Sequence, residues 1–197
     1  MSSRRAGNRG SKRIFGERGG AAVEAAIVTP VVMAMFFGIV EMGFLFKDYL
    51  AVGASVRAGA RIASASPRTS DFAQAAANQV ASTGSAMDFT DVQQLWVYKA
   101  DPTTNKPVGF TDFSGCTVCV KFRWDVGSNA FVPISDNWAY TTQNACSASG
   151  PGGPPDRIGV YLQLKHYGLT TFVFTSAVIS DSAMLTLEPI PLLDGCS

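Results

Sequence analysis

The chain has 197 residues, 47% of them hydrophobic, and a formal net charge of +1. That length accommodates one membrane segment and one modest domain and excludes a multi-span protein. The small net charge conceals an asymmetry: Arg4, Arg5, Arg9, Lys12, Arg13 and Arg18 precede the first apolar run with Glu17 alone opposing them, and the rest of the chain carries 10 basic and 14 acidic side chains, a net of −4.

A short basic flank ahead of an apolar run is retained on the cytoplasmic side of a membrane, so it reads as a topology signal and not as a nucleic-acid patch. Residues 1–19 are accordingly expected to form a basic cytoplasmic leader, and no nucleic-acid partner is expected. Next comes "RGGAAVEAAIVTPVVMAMFFGIVEMGFLFKDYL", Arg18 to Leu50. Between Glu24 and Lys47 lie 22 residues with Glu41 as the one charge. As a helix they would span about 33 Å, enough for a hydrocarbon core of roughly 30 Å. Residues 20–50 are expected to form a single transmembrane helix with the N-terminus inside and the bulk of the chain outside. A cleaved secretory signal has a shorter apolar stretch of about 7 to 15 residues; Ala-rich sites such as "ASA" leave that alternative open. Arg4-Arg5 is followed by "AGNRG", without the apolar residue a twin-arginine signal wants.

Pro30 is expected to kink this helix and not to end it, since neighbouring groups can satisfy the freed carbonyl. Beyond Leu50, Val52, Val56 and Ile62 alternate with small residues, and Arg57 and Arg61 are four apart. One helix is therefore expected over 20–65, stopped by Pro67. A second, alanine-rich helix is expected over 71–82, with Ser70 or Asp71 as its N-cap.

After Gly84 the apolar period falls to two. In "TVCVKFRW", Val118, Val120, Phe122 and Trp124 share one face; in "IGVYLQLKH", Ile158, Val160, Leu162 and Leu164 do the same, each run having the pattern of a half-buried strand. Further strands are expected at 92–99 and 182–188, and the turn in "ADPTTNKP" suggests a hairpin. Residues 127–155 are expected to be an irregular surface loop anchored by Trp138. The fold class expected is α+β: one long N-terminal helix, then an antiparallel sheet whose apolar face is covered by the extramembrane half of that helix. Residues 51–197 form the extracytoplasmic part.

Cys116, Cys119, Cys146 and Cys196 all fall on the outer side, a placement that favours disulfides over free thiols. Four cysteines allow three pairings. A bridge within "CTVC" is disfavoured because residues 116 and 119 should point to opposite faces of a strand, so both are expected to pair with Cys146 and Cys196. A redox-active C-x-x-C wants a helix N-terminus to stabilise the thiolate, whereas this one leads into a strand. A zinc site wants two spaced ligand pairs, and the single histidine, His166, lies on a strand. "GPGGPP" lacks the lysine of a phosphate-binding loop. No catalytic residue, metal or cofactor is expected, and the chain does not read as an enzyme.

Across about residues 16–65, "RGGAAVEAAIVTPVV…FFGIVEMG" followed by "ASVRAGARIAS" resembles the TadE-like minor pilins, or pseudopilins, of the tight-adherence (Tad) pilus system. The resemblance lies in a basic leader ending in glycine, a Val-Glu, an apolar segment with an early proline and a "GIVE" tetrad, and a small-residue helix with paired arginines. The C-terminal Glu188-Pro189 is similar to the family's closing Glu-Pro. Ala25 stands where such pilins often have an aromatic residue. The resemblance implies a pilin-like outer domain and a cut by a prepilin peptidase between Gly19 and Gly20, which makes Glu24 the fifth residue of the mature chain. It implies subunit contacts through Glu24 and Glu41, with exposure to headgroups as the alternative for each. The partners implied are other pilins or pseudopilins through the N-terminal helix, the peptidase, the Tad secretion machinery and membrane lipid. The location implied is the bacterial inner membrane, with passage into an extracellular pilus after processing, and the function implied is priming or capping of a pilus used for adhesion or surface attachment. A membrane-anchored binding or adhesion domain that never enters a pilus is the alternative, with Trp96, Tyr98, Trp138 and Tyr140 as its contact residues.

Overall fold

The structure, a computed structural model, describes residues 16–146, 153–170 and 174–190, with side chains from residue 19 onward. The basic residues of the leader up to Arg13, part of the "GPGGPP" stretch and Cys196 lie outside the described residues. The chain divides into two compact units after Val40. The second unit therefore takes in ten residues, 41–50, of the segment expected to lie in the membrane.

Helix α1 (Gly16–Ala65) begins in the first unit and continues through Pro30. Its residues 19–39 expose their large side chains, with Ile27 at 68% and Ile39 at 74%. A helix satisfies its backbone polar groups internally, so such a segment suits an apolar surrounding.

In the second unit, α1 and α2 (Phe72–Thr83) pack on a five-stranded antiparallel sheet. The strands are β1 (Val92–Ala100), β2 (Cys119–Asp125), β3 (Ala130–Asp136), β4 (Arg157–Tyr167) and β5 (Ser176–Thr186), in the order β3-β2-β1-β4-β5. Val52, Val56, Ala60 and Ala63 of α1 recur every three or four residues, so they line one helical face, and all four are fully buried. They join Ala73, Ala76, Ala77 and Val80 of α2 and the expected strand faces in one core. The small residues set the helix separation: a Cβ on Gly59 would lie 2.7 Å from Val80 Cγ2 and 3.2 Å from the Ala76 carbonyl.

The sheet alternates as the sequence pattern requires. Leu95, Val97, Val120, Phe122, Ile158, Val160, Leu162 and Leu164 face the helices, and Trp96, Tyr98, Cys119 and Tyr161 form a second apolar cluster on the opposite face. Phe113, from the long β1–β2 connection, stacks on Tyr161 with ring centroids 3.9 Å apart and covers that cluster.

Two expectations are corrected. Residues 127–155 are not one irregular loop, because β3 lies within them. It contains Pro133, and β3 is an edge strand, the place in a sheet where proline is tolerated. The turn into it is closed by Asp125, whose carboxylate accepts from the Ser128 amide at 2.8 Å, and by Asn129 in the left-handed region at φ 50°. The last strand begins at Ser176 and not at residue 182. It ends at Thr186 because the chain then turns to α1, where the Glu188 amide donates to the Ser64 carbonyl at 2.9 Å. Trp138 does anchor its loop, packing edge-on against Phe72 at 5.3 Å.

Candidate functional site

Polar residues on α1 meet the end of β4 and the chain that follows it. Glu41 and Asp48 are seven residues apart, two helical turns, and so lie on one face. Asp48 Oδ2 lies 2.6 Å from His166 Nδ1, and Lys47 Nζ lies 3.2 Å from Asp48 Oδ1. Thr170 Oγ1 donates to Glu41 Oε2 at 2.8 Å. Beside Glu41 the chain can pass only as glycine, since a Cβ on Gly168 would run into Glu41 Oε1 and the Phe174 carbonyl.

A hollow of about 150 Å³ opens beside this pair, lined by Phe44, Lys47, Asp48, Asp88, Asp91 and His166 among others. Burial pushes the Asp91 carboxyl up from its ordinary range, and the nearby charges of Asp88 and Asp48 add to that. Asp88 is held low instead, by hydrogen bonds from the hydroxyl and amide of Thr90. The arrangement has the first two members of a nucleophilic triad, but His166 Nε2 is buried with no hydroxyl or thiol against it among the described residues. The geometry supports a tie between strand and helix.

Glu41 is 1% exposed and buried against its own chain. Exposure to headgroups and a contact with another subunit would each need this carboxylate to become accessible. Gly19, Gly20 and Glu24 are exposed, and a Cβ on either glycine would meet nothing within 4 Å. The structure does not bring these three near any other site residue within their unit.

The cysteines are paired differently from expectation. Cys116 and Cys119 are bonded to each other, with Cα atoms 6.1 Å apart. The argument against this bridge assumed that both residues lie on a strand, but β2 starts at Cys119. Cys116 belongs to the preceding loop, where alternation does not fix its direction, and the Cα separation is ordinary for a disulfide. Cys146 is disulfide-bonded as well.

Of the aromatic contact residues named for a binding domain, Trp96, Tyr98 and Trp138 are 5%, 0% and 2% exposed; Tyr140 is exposed. Three of the four are thus occupied in packing. Sequence reading missed the Asp48–His166 pair, for which the one signal was a lone histidine ending an alternating strand and an aspartate in a helix facing it.

The family model described as TadE-like protein matches residues 19–61. No curated protein and no solved structure matches the chain. The matched segment runs from the glycine pair through the apolar stretch to Arg61, the same part of the chain that carries the motifs quoted above.

Proposed function

We propose that this TadE-like chain is a single-pass membrane protein that enters a Tad-type pilus as a minor pilin, priming or capping its assembly. The observation that carries the reading is residues 19–40 of α1: a helical segment of exposed apolar side chains whose one charge, Glu24, sits five residues past Gly19. These 22 residues are about 33 Å of helix, a bilayer's hydrocarbon thickness, and a carboxylate placed inside such a span needs a partner. The compact unit starting at Glu41 argues that the crossing uses residues 19–40 and that 41–50 belong to the outer domain.

The basic residues ahead of Gly19 support an orientation with the N-terminus in the cytoplasm and the domain outside, in the inner membrane. Removal of the leader by a prepilin peptidase after Gly19 would place an α-amino group on Gly20, within reach of Glu24 of a neighbouring pilin. Burial of Trp96, Tyr98 and Trp138 weighs against an anchored binding domain built on those aromatics. The test is the N-terminus of the protein purified from pili of a host with its own peptidase. A mature chain starting at Gly20 is expected; assembled protein that retains Met1 or Ser2 overturns the reading.

A further inference from the structure

The two edges of the sheet are unlike. β3 carries Pro133 and a register shift against β2, both of which spoil an edge as a template for a further strand. β5 has neither: its eleven residues pair with β4 in unbroken register, and among the described residues no strand pairs with its other side. It contains no proline, lysine or arginine. Its one charge, Asp181, is paired in register with Leu162 of the core and so points to the helix side, as do Ile179 and Ala183.

Two apolar hollows lie where that side of β5 meets α1. One, of about 400 Å³, is lined by Leu45, Phe46, Tyr49 and Ile179, and the other, of about 340 Å³, by Ala60, Ala183 and Leu185. Between them Arg57 Nη2 stands 3.8 Å from Asp181 Oδ2, with side chains 70% and 37% exposed. Arg61 lines the second hollow one turn further along, and no carboxylate among the described residues pairs with it. The groove therefore has two guanidinium groups and one carboxylate, a local excess of positive charge.

We propose that β5 and this groove receive an extended segment of a partner chain, added as a sixth strand, with the pattern apolar-x-acidic-x-apolar. Side chains two apart on a strand share a face and are separated by about 7 Å. An acidic residue level with Asp181 then meets Arg57 and Arg61, while the apolar residues on either side of it lie level with Ile179 and Ala183 and enter the two hollows. Main-chain bonds to the open edge supply affinity, and the hollows and guanidinium groups supply selectivity.

A second copy of this chain is the poorer occupant. Pairing β5 with β5 of a second copy doubles the positive excess of the groove, four guanidinium groups against two carboxylates, whereas an acidic residue of a partner offsets it.

The test uses the full chain in lipid nanodiscs and a dye-labelled nine-residue threonine peptide with valine at positions three and seven and glutamate at position five. Its counterpart has lysine at position five. The glutamate peptide is expected to bind at least tenfold more tightly than the lysine peptide, and Arg57→Glu combined with Arg61→Glu should reverse that order. N-methylation of alternate peptide amides should abolish binding in one of the two registers and spare it in the other. Both arginines are exposed, so an unchanged circular dichroism spectrum for the double variant is expected and separates lost recognition from lost folding. Absence of binding by either peptide, equal affinities in parent and variant, or cross-linking of two copies through Ser180→Cys in the nanodisc would overturn the proposal. Cleavage at Gly19 has no bearing on the peptide result, so the two readings fail separately.

Discussion

Nδ1 of His166 lies 2.6 Å from Oδ2 of Asp48, and the two side chains are 7% and 12% exposed. The contact joins residues 118 positions apart and holds the end of β4 against α1. Removing one member of such a buried pair costs about 3 to 5 kcal/mol, whereas replacing both with apolar residues is far milder. His166→Leu is therefore expected to destabilise the full chain by about 3 kcal/mol, since Lys47 remains beside Asp48 and softens the loss. Asp48→Leu with His166→Leu should recover at least half of that. Urea unfolding in detergent micelles measures both; single and double variants of equal stability would refute the tie.

Glu41 gives a second stability test that also bears on assembly. Its Oε2 accepts from Thr170 while Oε1 is buried with no hydrogen-bond partner among the described residues, so burial of a charge here is only partly offset. Glu41→Gln keeps the acceptor and removes the charge, and should leave single-chain stability unchanged or higher. Gly168→Ala should lower it by about 1 to 3 kcal/mol, because the new methyl group overpacks the site between Glu41 and Phe174. Both are read on monomer in micelles. A role for Glu41 between subunits predicts the opposite: normal monomers from every variant and defective pili.

Tyr98 is buried, its hydroxyl donates to the Asn105 carbonyl at 3.1 Å, and burial pushes its pKa up to about 12. The unfolded chain releases this proton near pH 10. Between pH 10 and 12 the folded state thus holds more protons than the unfolded state, and stability falls as pH rises through that window; below pH 10 the group contributes no slope. The loss is at most about 1.4 kcal/mol per pH unit. Tyr98→Phe should flatten the alkaline limb of a stability profile in part. Some slope should persist because burial raises the Tyr161 pKa in the same direction. A limb unchanged by Tyr98→Phe would place the alkaline sensitivity elsewhere.

With Cys116 and Cys119 bonded to each other, the count of four leaves Cys196 as the expected partner of Cys146. Loop-closure entropy makes the two bridges unequal, at about 2 kcal/mol for the short loop and about 4 kcal/mol for the long one. Non-reducing peptide mapping should recover these two pairs from protein made in its native compartment. Cys146→Ser should lower the melting temperature more than Cys116→Ser does; the reverse order contradicts the pairing or the ranking.

Periodicity made most of the architecture legible. Val120 with Phe122 and Ile158 with Leu164 reported the buried face directly, because antiparallel strands with one face on helices must alternate. β3 carries no clean alternation of buried and exposed positions, so no period reported it inside the segment 127–155. The Cys116–Cys119 bridge was hidden by a strand boundary, which periodicity places only to within a few residues. The Asp48–His166 and Glu41–Thr170 contacts span more than a hundred residues, and a single sequence carries no signal that pairs such distant polar groups. The apolar segment around Glu24 was legible because a charge there contradicts its surroundings.

That contradiction gives the prediction on which the proposed function turns. Glu24→Gln preserves shape and removes charge, so insertion of the single chain should be unchanged or slightly easier. If the carboxylate pairs with the Gly20 amine of a neighbouring subunit, the variant leaves that amine without its partner in an apolar setting, a loss of several kcal/mol unless the amine deprotonates or reaches the interface. Assembly should then fail while membrane level, leader removal and the fold of the unit from Glu41 onward stay normal. The comparison needs pilus yield and surface exposure for wild type, Glu24→Gln and Glu41→Gln, the last altering a carboxylate that is buried in its own chain. Glu24 is exposed among the described residues, so a defect confined to the first variant points to a contact with another subunit. Normal piliation by Glu24→Gln would return Glu24 to a residue that faces headgroups and would leave the anchored domain outside the pilus as the better account.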